Sequence, residues 1–516
     1  MPHVAGIIYH RIVVLGYKPT AMYEQTPRQG VDMSAQEKTL PPLYVDLDGT
    51  LIKSDLLIES FLALIRRNLL YIFLVPFWLL SGKAHLKQQI ARRVELRVDL
   101  LPYNVELLAY LKTQQQLHRK IVLISAADQS LVEAVAAYCA CFDAAIGSNG
   151  IRNCSGKVKL ARIEQDDSQF VYAGDTPVDL AVWVQAESAI AVNLSASLRG
   201  KLIKHCAIEA EFNYSSGALK SYIRTLRLHQ WLKNTLVFLP LALAHQLANP
   251  ALIANACLAF LCFGLCASSV YILNDLLDLE SDRQHRSKFR RPFAAGNIPL
   301  LHGLLLSPVL LVCAFSLATT LPRTFIIVLG LYYLCTGLYS FVLKRIMLVD
   351  VILLAVLYTL RIISGAAAIS IVPSFWLLAF SMFLFFSLAV VKRYTELDYL
   401  RNAGIEQSEG RGYYAQDLNM MAMFGCASSF LSVMVFALYI NNEDTRGQYL
   451  TPELLWLICP LLLYMVTRIW LLAARGKIEE DPIIFALTDR VSQVVTLSCG
   501  LLLWLANFPW RQIILS

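Results

Sequence analysis

The stretch NDLLDLESDRQHRSKFRRPFAAG, residues 274–296, follows an apolar run without a single charge, ALIANACLAFLCFGLCASSVYIL, residues 251–273. About 20 apolar residues in a helix cross the ~30 Å hydrocarbon core of a bilayer. The chain therefore leaves a predicted membrane span into three aspartates, and then into a cluster of arginines and lysines. Because aspartate beside a membrane span is costly, we expect these carboxylates to serve a function.

The three aspartates share one face if the helix of the span continues. Asp275, Asp278 and Asp282 follow an i, i+3, i+7 spacing, with Asn274 on a neighbouring stripe. Carboxylates suit Mg²⁺, which also bridges to substrate phosphates, and arginine and lysine can hold the remaining phosphate charge. A solvated loop that only obeys the positive-inside rule would explain the basic residues but not the aspartates. We therefore predict a Mg²⁺–diphosphate site at the membrane surface.

The composition divides the chain into two parts. Of its 516 residues, 57% are hydrophobic and 16% are charged, whereas soluble proteins are about 45–50% apolar and about 25% charged. Charged and apolar residues mix up to about residue 233, and long apolar runs dominate the remainder. The net charge of +7 comes from basic residues at the ends of these runs, a pattern that encodes membrane topology, so no nucleic-acid partner is expected. The twelve cysteines show no paired framework and are predicted to be reduced thiols.

Nine membrane spans are predicted from the apolar runs. They cover about 235–248, 251–273, 300–320, 324–343, 347–371, 374–391, 418–440, 452–473 and 491–508. Because backbone groups in lipid must be satisfied within the segment, these spans predict an all-α nine-helix bundle. Lysine and arginine concentrate before the first span and after the even-numbered spans. This predicts a multi-pass protein of a bacterial-type inner membrane, with the N-terminal part and the aspartate loops in the cytoplasm and the C-terminus on the opposite side.

Arg361 lies well inside the fifth predicted span. An ionised side chain there is expensive and usually faces a cavity or a partner. A structural ion pair with Asp350 is the alternative, but eleven residues of straight helix separate the two by ~16 Å, which is too far for contact. We therefore predict that Arg361 faces a cavity.

The acidic motif has the form N-D-x-x-D-x-x-x-D and is accompanied by LRLHQWLKN (226–234) and YSFVLKR (339–345). In this order the motifs resemble the UbiA-type intramembrane prenyltransferase superfamily, over about residues 224–508. Aromatic prenyltransferases of that superfamily carry a second D-x-x-x-D motif after span six, where this chain reads VVKRYTELDYL (390–400). That stretch, LVDVILLAVLYTLRIISGAAA (348–368) and EEDPIIFALTDR (479–490) resemble the polyprenyl-phosphate phosphoribosyltransferase branch instead.

The resemblance implies Mg²⁺ on Asp275, Asp278 and Asp282, and transfer of 5-phosphoribose from phosphoribosyl diphosphate to a lipid phosphate. The residues expected to bind the substrates are Lys233, Asn234, Asn274, Arg283, Arg290, Arg291, Tyr339, Lys344, Arg345, Arg361, Lys392, Arg393, Glu396, Asp489 and Arg490.

The N-terminal part contains apolar strands that end in polar residues. They occur in LYVDLDGTLIKSD (43–55), KIVLISAADQ (120–129) and FVYAGDTPVDLAVW (170–183), with a fourth strand in AIAVN (189–193). Strands that alternate with helical stretches predict a parallel α/β sheet. The site of such a sheet lies at the carboxyl ends of its strands, where all three polar clusters fall.

The ordered set Asp46-x-Asp48-x-Thr50, Ser125, Lys159 and Gly174-Asp175-x-x-x-Asp179 resembles the haloacid dehalogenase-like (HAD) superfamily. The resemblance implies a Rossmann-like fold in which Asp46 is the nucleophile and Asp48 the general acid/base. Ser125 and Lys159 would hold the phosphoryl group, with Lys157 as an alternative to Lys159. Asp46 and Asp175 would bind Mg²⁺, and Asp48 and Asp179 complete the predicted metal site. A covalent carboxylate intermediate divides phosphoryl transfer into two easier steps.

The predicted organisation is a disordered leader (1–40), a HAD-like phosphatase domain (41–210), a linker that leads into the membrane (211–233) and a UbiA-like transferase domain (234–516). A helical cap is expected at about 55–110 by the same resemblance. Its segment NLLYIFLVPFWLLSG (68–82) is either a core helix of the cap or a segment that rests on the bilayer.

A two-step enzyme follows as a hypothesis. The membrane domain would make a polyprenyl-phosphoryl phosphoribose, and the phosphatase would remove its 5-phosphate. The partners would be a lipid-linked polyprenyl substrate, the membrane and a phosphorylated small-molecule donor. An aromatic prenyltransferase with a separate phosphatase or regulatory domain is the first alternative, and a transporter or scaffold is the second. The sequence leaves open the donor, the acceptor, the lipid chain length and the oligomeric state.

Overall fold

A computed structural model describes residues 40–214, 219–285, 287–407, 411–443, 447, 449–478 and 481–507. The predicted leader lies outside the described residues apart from Leu40. Residues 42–214 are called the sheet domain below, and residues 219–507 the helical bundle. All twelve cysteines are free, as predicted.

The sheet domain is built on six parallel strands. They are β1 (Leu43–Val45), β2 (Ile121–Asp128), β3 (Ala144–Ser148), β4 (Val171–Gly174), β5 (Ser188–Val192) and β6 (Ala207–Phe212), in the order β3-β2-β1-β4-β5-β6. The predicted parallel sheet is thereby confirmed. The central strand β1 lies between β2 and β4, with Val45 in register with Leu123 and Ala173. Since the carboxyl ends of these three strands are neighbours, the three predicted polar clusters meet at one edge of the sheet.

Helices connect the strands and cover both faces of the sheet. They are α1 (Leu56–Arg67), α2 (Val75–Leu80), α3 (Lys83–Ala91), α4 (Val105–Gln116), α5 (Gln129–Cys139), α6 (Lys157–Asp166), α7 (Leu180–Trp183) and α8 (Ala196–Leu202), with 3₁₀ segments at Leu69–Phe73, Val98–Leu100 and Pro177–Asp179. Alternate side chains of β1 enter different cores, because strand residues point to opposite faces in turn. Leu43 and Val45 pack in one core and Tyr44 in the other. The stretch predicted as a cap, about residues 55–110, contains α1, α2, α3 and the start of α4. It is called the cap below, and its function stays a prediction.

Two helices and a 3₁₀ segment lead from the sheet domain into the bundle: α9 (Leu219–Thr225), the 3₁₀ segment Leu228–Phe238 and α10 (Leu239–Leu243). The first predicted span, 235–248, therefore is not a continuous helix, since it is divided between the 3₁₀ segment and the five-residue α10.

Seven helices of the described chain are long and apolar enough to cross a membrane. They are α11 (Pro250–Leu277), α13 (Leu300–Ala318), α14 (Arg323–Phe341), α15 (Val349–Ala368), α16 (Phe375–Asn402), α17 (Leu418–Ile440, within the span Ala415–Ile440) and α18 (Ile458–Ala474, within the span Pro452–Ala474). Short helices lie between and after them: α12 (Leu279–Gln284), α19 (Pro482–Thr488) and α20 (Arg490–Leu505). The ninth predicted span corresponds to α20, which has 16 described residues and is shorter than the seven. The prediction of nine spanning helices is thus not confirmed.

The sheet domain contacts the bundle where α11 ends. Leu62 of α1 packs in one apolar cluster with Leu276 and Leu279. Beside this cluster, Arg283 Nη2 of α12 lies 2.5 Å from Glu59 Oε1 of α1, and both side chains are buried. The helix that carries the predicted membrane metal ligands is therefore in direct contact with the cap of the sheet domain.

Candidate active sites

Three carboxylates gather at the carboxyl edge of the sheet. Asp46 follows β1, while Asp175 and Asp179 follow β4, and one oxygen of each lies within 4.8 Å of the others. Lys159 is the cation in contact with them, with its Nζ 3.0 Å from Asp46 Oδ2 and 3.7 Å from Asp179 Oδ1. Carboxylate oxygens are the ligands that Mg²⁺ prefers, so this donor set fits a divalent cation.

The turn after β1 needs the glycine that the sequence supplies. Gly49 has φ +76°, and a Cβ built on it would lie 2.1 Å from Asp175 Oδ2. Glycine alone adopts this conformation without strain and leaves room for the carboxylate. The next residue, Thr50, donates from Oγ1 to Asp175 Oδ1 at 3.0 Å. The Gly-Thr pair thus positions Asp175 beside Asp46.

Asp48 lies outside the carboxylate trio. Its Oδ1 accepts from the Leu56 amide at 2.8 Å, at the start of α1, and its Oδ2 accepts from Ser125 Oγ at 3.4 Å. Within the described residues Asp48 does not join the cation-binding group, so its predicted place in the metal site has no support in this geometry. Its contacts with the cap and with Ser125 are compatible with the general acid/base role, which stays a prediction.

Burial controls the charge of this site. It raises the pKa of Asp46 to about 6, against the opposing effect of Lys159. It raises the pKa of Asp48 to about 7, with Asp55 and Asp46 adding to the effect. Burial lowers the pKa of Lys159, but the Asp46 and Asp179 carboxylates outweigh it and the pKa is raised. A buried site with three acids and one lysine is short of positive charge, which favours a bound cation.

Two further residues act on this site, and motif matching does not reveal them. Tyr172 accepts from Lys159 Nζ at 2.7 Å and donates to Asp179 Oδ1 at 2.7 Å, so it fixes both side chains. Lys87, on α3 of the cap, donates to the Ala126 carbonyl at 2.6 Å and to Asn153 Oδ1 at 3.0 Å. Lys87 brings a cap cation next to the Ser125 loop. From the sequence, Tyr172 is expected only as a buried residue of a strand. Nothing in the sequence around Lys87 distinguishes it from other lysines of the cap.

The acidic cluster of the bundle is held by cations from three segments. Asp275, in the last turn of α11, is buried and pairs with Arg227 and with Arg291 Nη1, the latter at 3.0 Å. The same Arg291 nitrogen lies 2.6 Å from Asp282 Oδ2. Lys344 Nζ lies 3.4 Å from Asp278 Oδ2.

These carboxylates are more widely spaced than those of the sheet domain. Among the described residues they do not bring three oxygens within 4.8 Å of one another. Asp275 and Asp282 do converge on one guanidinium nitrogen of Arg291. Their hard oxygen donors fit Mg²⁺, and Asp275 and Asp282 are the residues that would hold it.

A second polar network of the bundle is centred on Asp481. Asp481 Oδ2 accepts from Lys233 Nζ at 2.7 Å and from Lys392 Nζ at 3.1 Å, and Tyr358 OH donates to the same carboxylate. Burial raises the pKa of Asp481, but Lys392 and Lys233 outweigh it and hold the pKa well below its usual range. Lys233 and Lys392 belong to the predicted substrate-binding set, whereas Asp481 does not. The sequence does single out the stretch EEDPIIFALTDR (479–490), but this stretch contains two aspartates, Asp481 and Asp489.

Arg361 is buried among polar partners of the bundle. Its Nε donates to Asn234 Oδ1 at 3.0 Å and its Nη2 to Tyr332 OH at 3.1 Å. The Tyr332 and Tyr358 rings lie 5.0 Å and 5.4 Å from its guanidinium carbon. Asp350 is not its partner, in agreement with the distance argument from the sequence.

Asp350 pairs instead with Arg393, another residue that the sequence predicts to bind substrate. Arg393 Nε lies 2.6 Å from Asp350 Oδ2, and Arg393 Nη1 lies 2.6 Å from Glu396 Oε2. Tyr339 OH accepts from Arg393 at 3.2 Å. Three predicted site residues, Tyr339, Arg393 and Glu396, therefore form one connected group.

The remaining predicted residues are not brought into these networks. Arg283 donates to Glu59 and to the Ala294 carbonyl, so its side chain joins two domains rather than facing the aspartates. Asp489 accepts from the Ser492 amide as the cap of α20 and pairs with Arg468 at 2.6 Å. These contacts place Arg283 and Asp489 outside the networks described above, and their substrate-binding roles stay predictions. Asn274 is half-buried beside Asp275, and the side chains of three more are exposed: Arg290, Arg345 and Arg490.

The described residues thus contain seven candidate membrane spans, one of which ends in carboxylates that pair with cations. The sequence model of the UbiA prenyltransferase family matches residues 235–483. The chain is 35% identical to the uncharacterized protein y4nM of Sinorhizobium fredii over 468 residues, which covers 90% of both chains.

The chain belongs to the UbiA prenyltransferase family through its C-terminal part. Members of this family are transferases. A decaprenyl-phosphate phosphoribosyltransferase of Mycolicibacterium smegmatis is 28% identical over 286 residues, which cover 54% of this chain and 89% of that protein. A solved UbiA homologue from Archaeoglobus fulgidus, bound to GPP and Mg²⁺, has a TM-score of 0.42 and 16% identity, and the match covers 55% of this chain and 98% of that chain.

Proposed function

We propose that the helical bundle transfers 5-phosphoribose from phosphoribosyl diphosphate to a polyprenyl phosphate, and that the sheet domain then removes the 5-phosphate. The single observation that carries the first half is the cluster of Asp275, Asp278 and Asp282 interleaved with Arg227, Arg291 and Lys344. The similarity to a decaprenyl-phosphate phosphoribosyltransferase supports the choice of substrates.

The cluster suits a diphosphate leaving group. Bound Mg²⁺ would neutralise the diphosphate as it leaves the ribose C1. Arg227 and Arg291, released from the carboxylates, can each donate to phosphate oxygens, because a guanidinium presents several donors in a fixed plane. The lipid phosphate oxygen forms the new bond to C1 as the bond from C1 to the diphosphate breaks. A dry site in which these charges are already placed lowers the barrier by electrostatic stabilisation.

The network around Asp481 suits a second phosphate. Lys233 and Lys392 share a single carboxylate, so this network retains one positive charge. Lys233 is the buried cation of the two, and the Lys392 side chain is 37% exposed. A buried cation without full compensation is costly unless an anion binds there. We assign this excess charge to a phosphate of one of the two substrates.

The sheet-edge site suits hydrolysis of a phosphate monoester. Asp46 attacks the phosphorus while Asp48, whose pKa is raised to about 7 mainly by burial, donates a proton to the departing ribose oxygen. Water then attacks the aspartyl-phosphate with Asp48 as base, which releases phosphate and restores Asp46. Lys159 stabilises the charge on Asp46 and on the transferred group. Mg²⁺ held by Asp46, Asp175 and Asp179 would neutralise the phosphoryl oxygens.

The contact between the domains supports a two-step reaction. The Glu59–Arg283 ion pair joins α1 of the cap to α12, which carries Asp282. Both sites are therefore expected to work from the same face of the membrane, and the basic loops predict that this face is cytoplasmic.

The test is a donor comparison with full-length protein in lipid nanodiscs. Phosphoribosyl diphosphate with polyprenyl phosphate should give lipid-linked ribose, whereas farnesyl diphosphate with an aromatic acceptor should give no product. Asp46→Asn should stop at lipid-linked phosphoribose, and the matched variant Asp166→Asn, on the exposed surface of α6, should behave as wild type. Turnover of the prenyl diphosphate alone would overturn the proposed donor. Identical products from wild type and Asp46→Asn would overturn the phosphatase step.

A further inference from the structure

A cavity of about 310 Å³ lies between the cap and the bundle, next to both candidate sites but not lined by their aspartates. Its cap side is formed by α1 and by the chain after α3, and its bundle side by the end of α11 and by α12. Arginines dominate its polar wall: Arg66, Arg67, Arg93, Arg97, Arg283 and Arg345. Three glutamates, Glu59, Glu95 and Glu280, share the cavity, so arginine exceeds carboxylate by three charges.

Ion pairs account for three of the six arginines. Arg283 is paired with Glu59, Arg66 with Glu280 at 3.4 Å and Arg97 with Asp99 at 2.8 Å. The other three have no ion pair with a carboxylate among the described residues: Arg67, Arg93 and Arg345. Arg67 donates to the Arg93 carbonyl, and the Arg93 guanidinium carbon lies 4.8 Å from the centre of the Trp78 ring. Arg93 Nη1 also donates to the Gln89 carbonyl and to Gln89 Oε1, and its other guanidinium nitrogens can still donate to an anion. Both walls therefore contribute arginines that no described carboxylate neutralises.

The remainder of the cavity wall is apolar. Leu62 and Leu96 contribute from the cap and Leu276 from the bundle. Trp78, which packs against Arg93, belongs to the apolar segment 69–80, where Phe73 and Phe77 are each about two-thirds exposed and Leu80 is 86% exposed. An exposed apolar and aromatic segment beside basic residues is typical of a surface that rests on a bilayer. A ligand that matches both parts carries a phosphate and an apolar chain.

The position of the cavity connects the two candidate sites. Arg345 lines the cavity, and the preceding residue, Lys344, pairs with Asp278 of the bundle site. On the opposite wall, α1 begins at Leu56, whose amide donates to Asp48 of the sheet-domain site. The cavity therefore shares one wall segment with each site.

We propose that this interdomain cavity binds the phosphorylated headgroup of a polyprenyl phosphate derivative, with the segment 69–80 resting on the bilayer beside it. The identity of the ligand rests on the proposed function. The headgroup would be that of the lipid-linked phosphoribose, which passes from the bundle to the sheet domain. Arg67 and Arg93 from the cap and Arg345 from the bundle hold its phosphates. Arginine suits this task because it forms bidentate, charge-assisted hydrogen bonds to phosphate.

The test measures binding without turnover. Full-length protein in nanodiscs is exposed to farnesyl phosphate that carries a benzophenone on its terminal isoprene, and the labelled peptides are located by mass spectrometry. We expect label in the segments that line the cavity, around residues 62–97 and 276–283. The Arg67→Gln/Arg93→Gln double variant should reduce this label about tenfold, and Arg345→Gln alone should also reduce it, from the opposite wall. Arg162→Gln, an exposed arginine of α6, should leave it unchanged.

Competition and the uncharged analogue distinguish the ligand classes. Unlabelled farnesyl phosphate should displace the probe, whereas inorganic phosphate at the same concentration should not, and benzophenone-farnesol should label poorly. Displacement by inorganic phosphate would make the cavity a site for free phosphate, and equal labelling by the alcohol would make it an apolar groove; either result overturns the proposal, as does unchanged label in the arginine variants. Label inside the bundle should persist in these variants and so reports that they are folded. The labelling experiment contains no phosphoribosyl diphosphate, so its outcome can be interpreted even if the turnover assay fails.

Discussion

The sheet domain and the helical bundle each hold a cluster of three aspartates, but the clusters differ in spacing and in counter-charge. Oxygens of Asp46, Asp175 and Asp179 gather within 4.8 Å, with Lys159 as their cation. In the bundle, the three aspartates are spread along the end of α11 and α12 and pair with three cations, Arg227, Arg291 and Lys344. The first cluster is therefore ready for a cation alone. The second is close to neutral, so it needs a cation and an anionic donor together.

The largest effect is expected from Asp275→Asn. The change removes the carboxylate that receives both Arg227 and Arg291, so the cation and the leaving diphosphate lose their common anchor. Transfer of phosphoribose should fall about 10²–10³-fold, the usual cost of losing one preorganised charge at a reacting centre. Hydrolysis of p-nitrophenyl phosphate by the sheet domain should be unchanged.

The control for this variant is Asp398→Asn, which removes a carboxylate of α16 paired with Arg401 at 3.2 Å. It should transfer phosphoribose at the wild-type rate. Equal activity of Asp275→Asn and Asp398→Asn would show that the bundle cluster is not the site of the chemistry.

The next largest effect is expected from Asp481→Asn. The change leaves Lys233 and Lys392 facing each other without their shared carboxylate. The cost comes from Lys233, whose side chain is buried, since Lys392 is 37% exposed and screened by solvent. Removal of one partner from a buried ion pair costs about 3–5 kcal/mol, because it leaves an uncompensated buried charge. Thermal unfolding in detergent should show a clear fall in Tm, and added inorganic phosphate should recover part of it if the lysines bind phosphate. A double variant with Lys233→Met should be more stable than Asp481→Asn alone; a less stable double variant would contradict the assignment.

A smaller effect is expected from Arg291→Gln, which tests the difference in counter-charge between the two clusters. Arg291 occupies the point on which Asp275 and Asp282 converge, so it competes with a cation in the absence of donor. Arg291→Gln should therefore tighten Mg²⁺ binding to the bundle about tenfold in isothermal titration and raise the KM for phosphoribosyl diphosphate by a similar factor. The matched control is Arg475→Gln, which changes an exposed arginine at the end of α18. Unchanged Mg²⁺ affinity in Arg291→Gln would refute the competition.

The sequence predicts most of the architecture because periodic patterns determine it. The four strands predicted in the sheet domain occur in a parallel sheet, and the polar residues after β1, β2 and β4 meet at one edge. The spans from 251 to 474 were predicted because long apolar runs allow one arrangement only. The run 235–248 is different, since Pro240 lies in the first turn of the short α10 and the residues before α10 form a 3₁₀ segment. A hydropathy count cannot distinguish such a broken segment from a span.

Side-chain partners are the part that the sequence does not determine. Arg283 lies in a run of basic residues beside the aspartates, yet it pairs with Glu59, 224 positions away in the chain. The sequence also cannot decide between Asp481 and Asp489 in EEDPIIFALTDR, because each of them directly precedes a helix and the local pattern is the same. Long-range packing places Asp481 against Lys233 and Lys392, and no local pattern encodes that contact.

Asp489→Asn therefore gives the smallest effect and the sharpest contrast with Asp481→Asn. Asp489 caps α20 through the Ser492 amide and pairs with Arg468, whose side chain is 22% exposed. Asparagine retains the capping oxygen, so the variant should lose at most about 1 kcal/mol of stability, from the partly solvated ion pair. Phosphoribose transfer and the KM for the donor should match wild type. A loss of activity as large as that of Asp481→Asn would return Asp489 to the substrate site and would mean that both aspartates of this stretch serve the reaction.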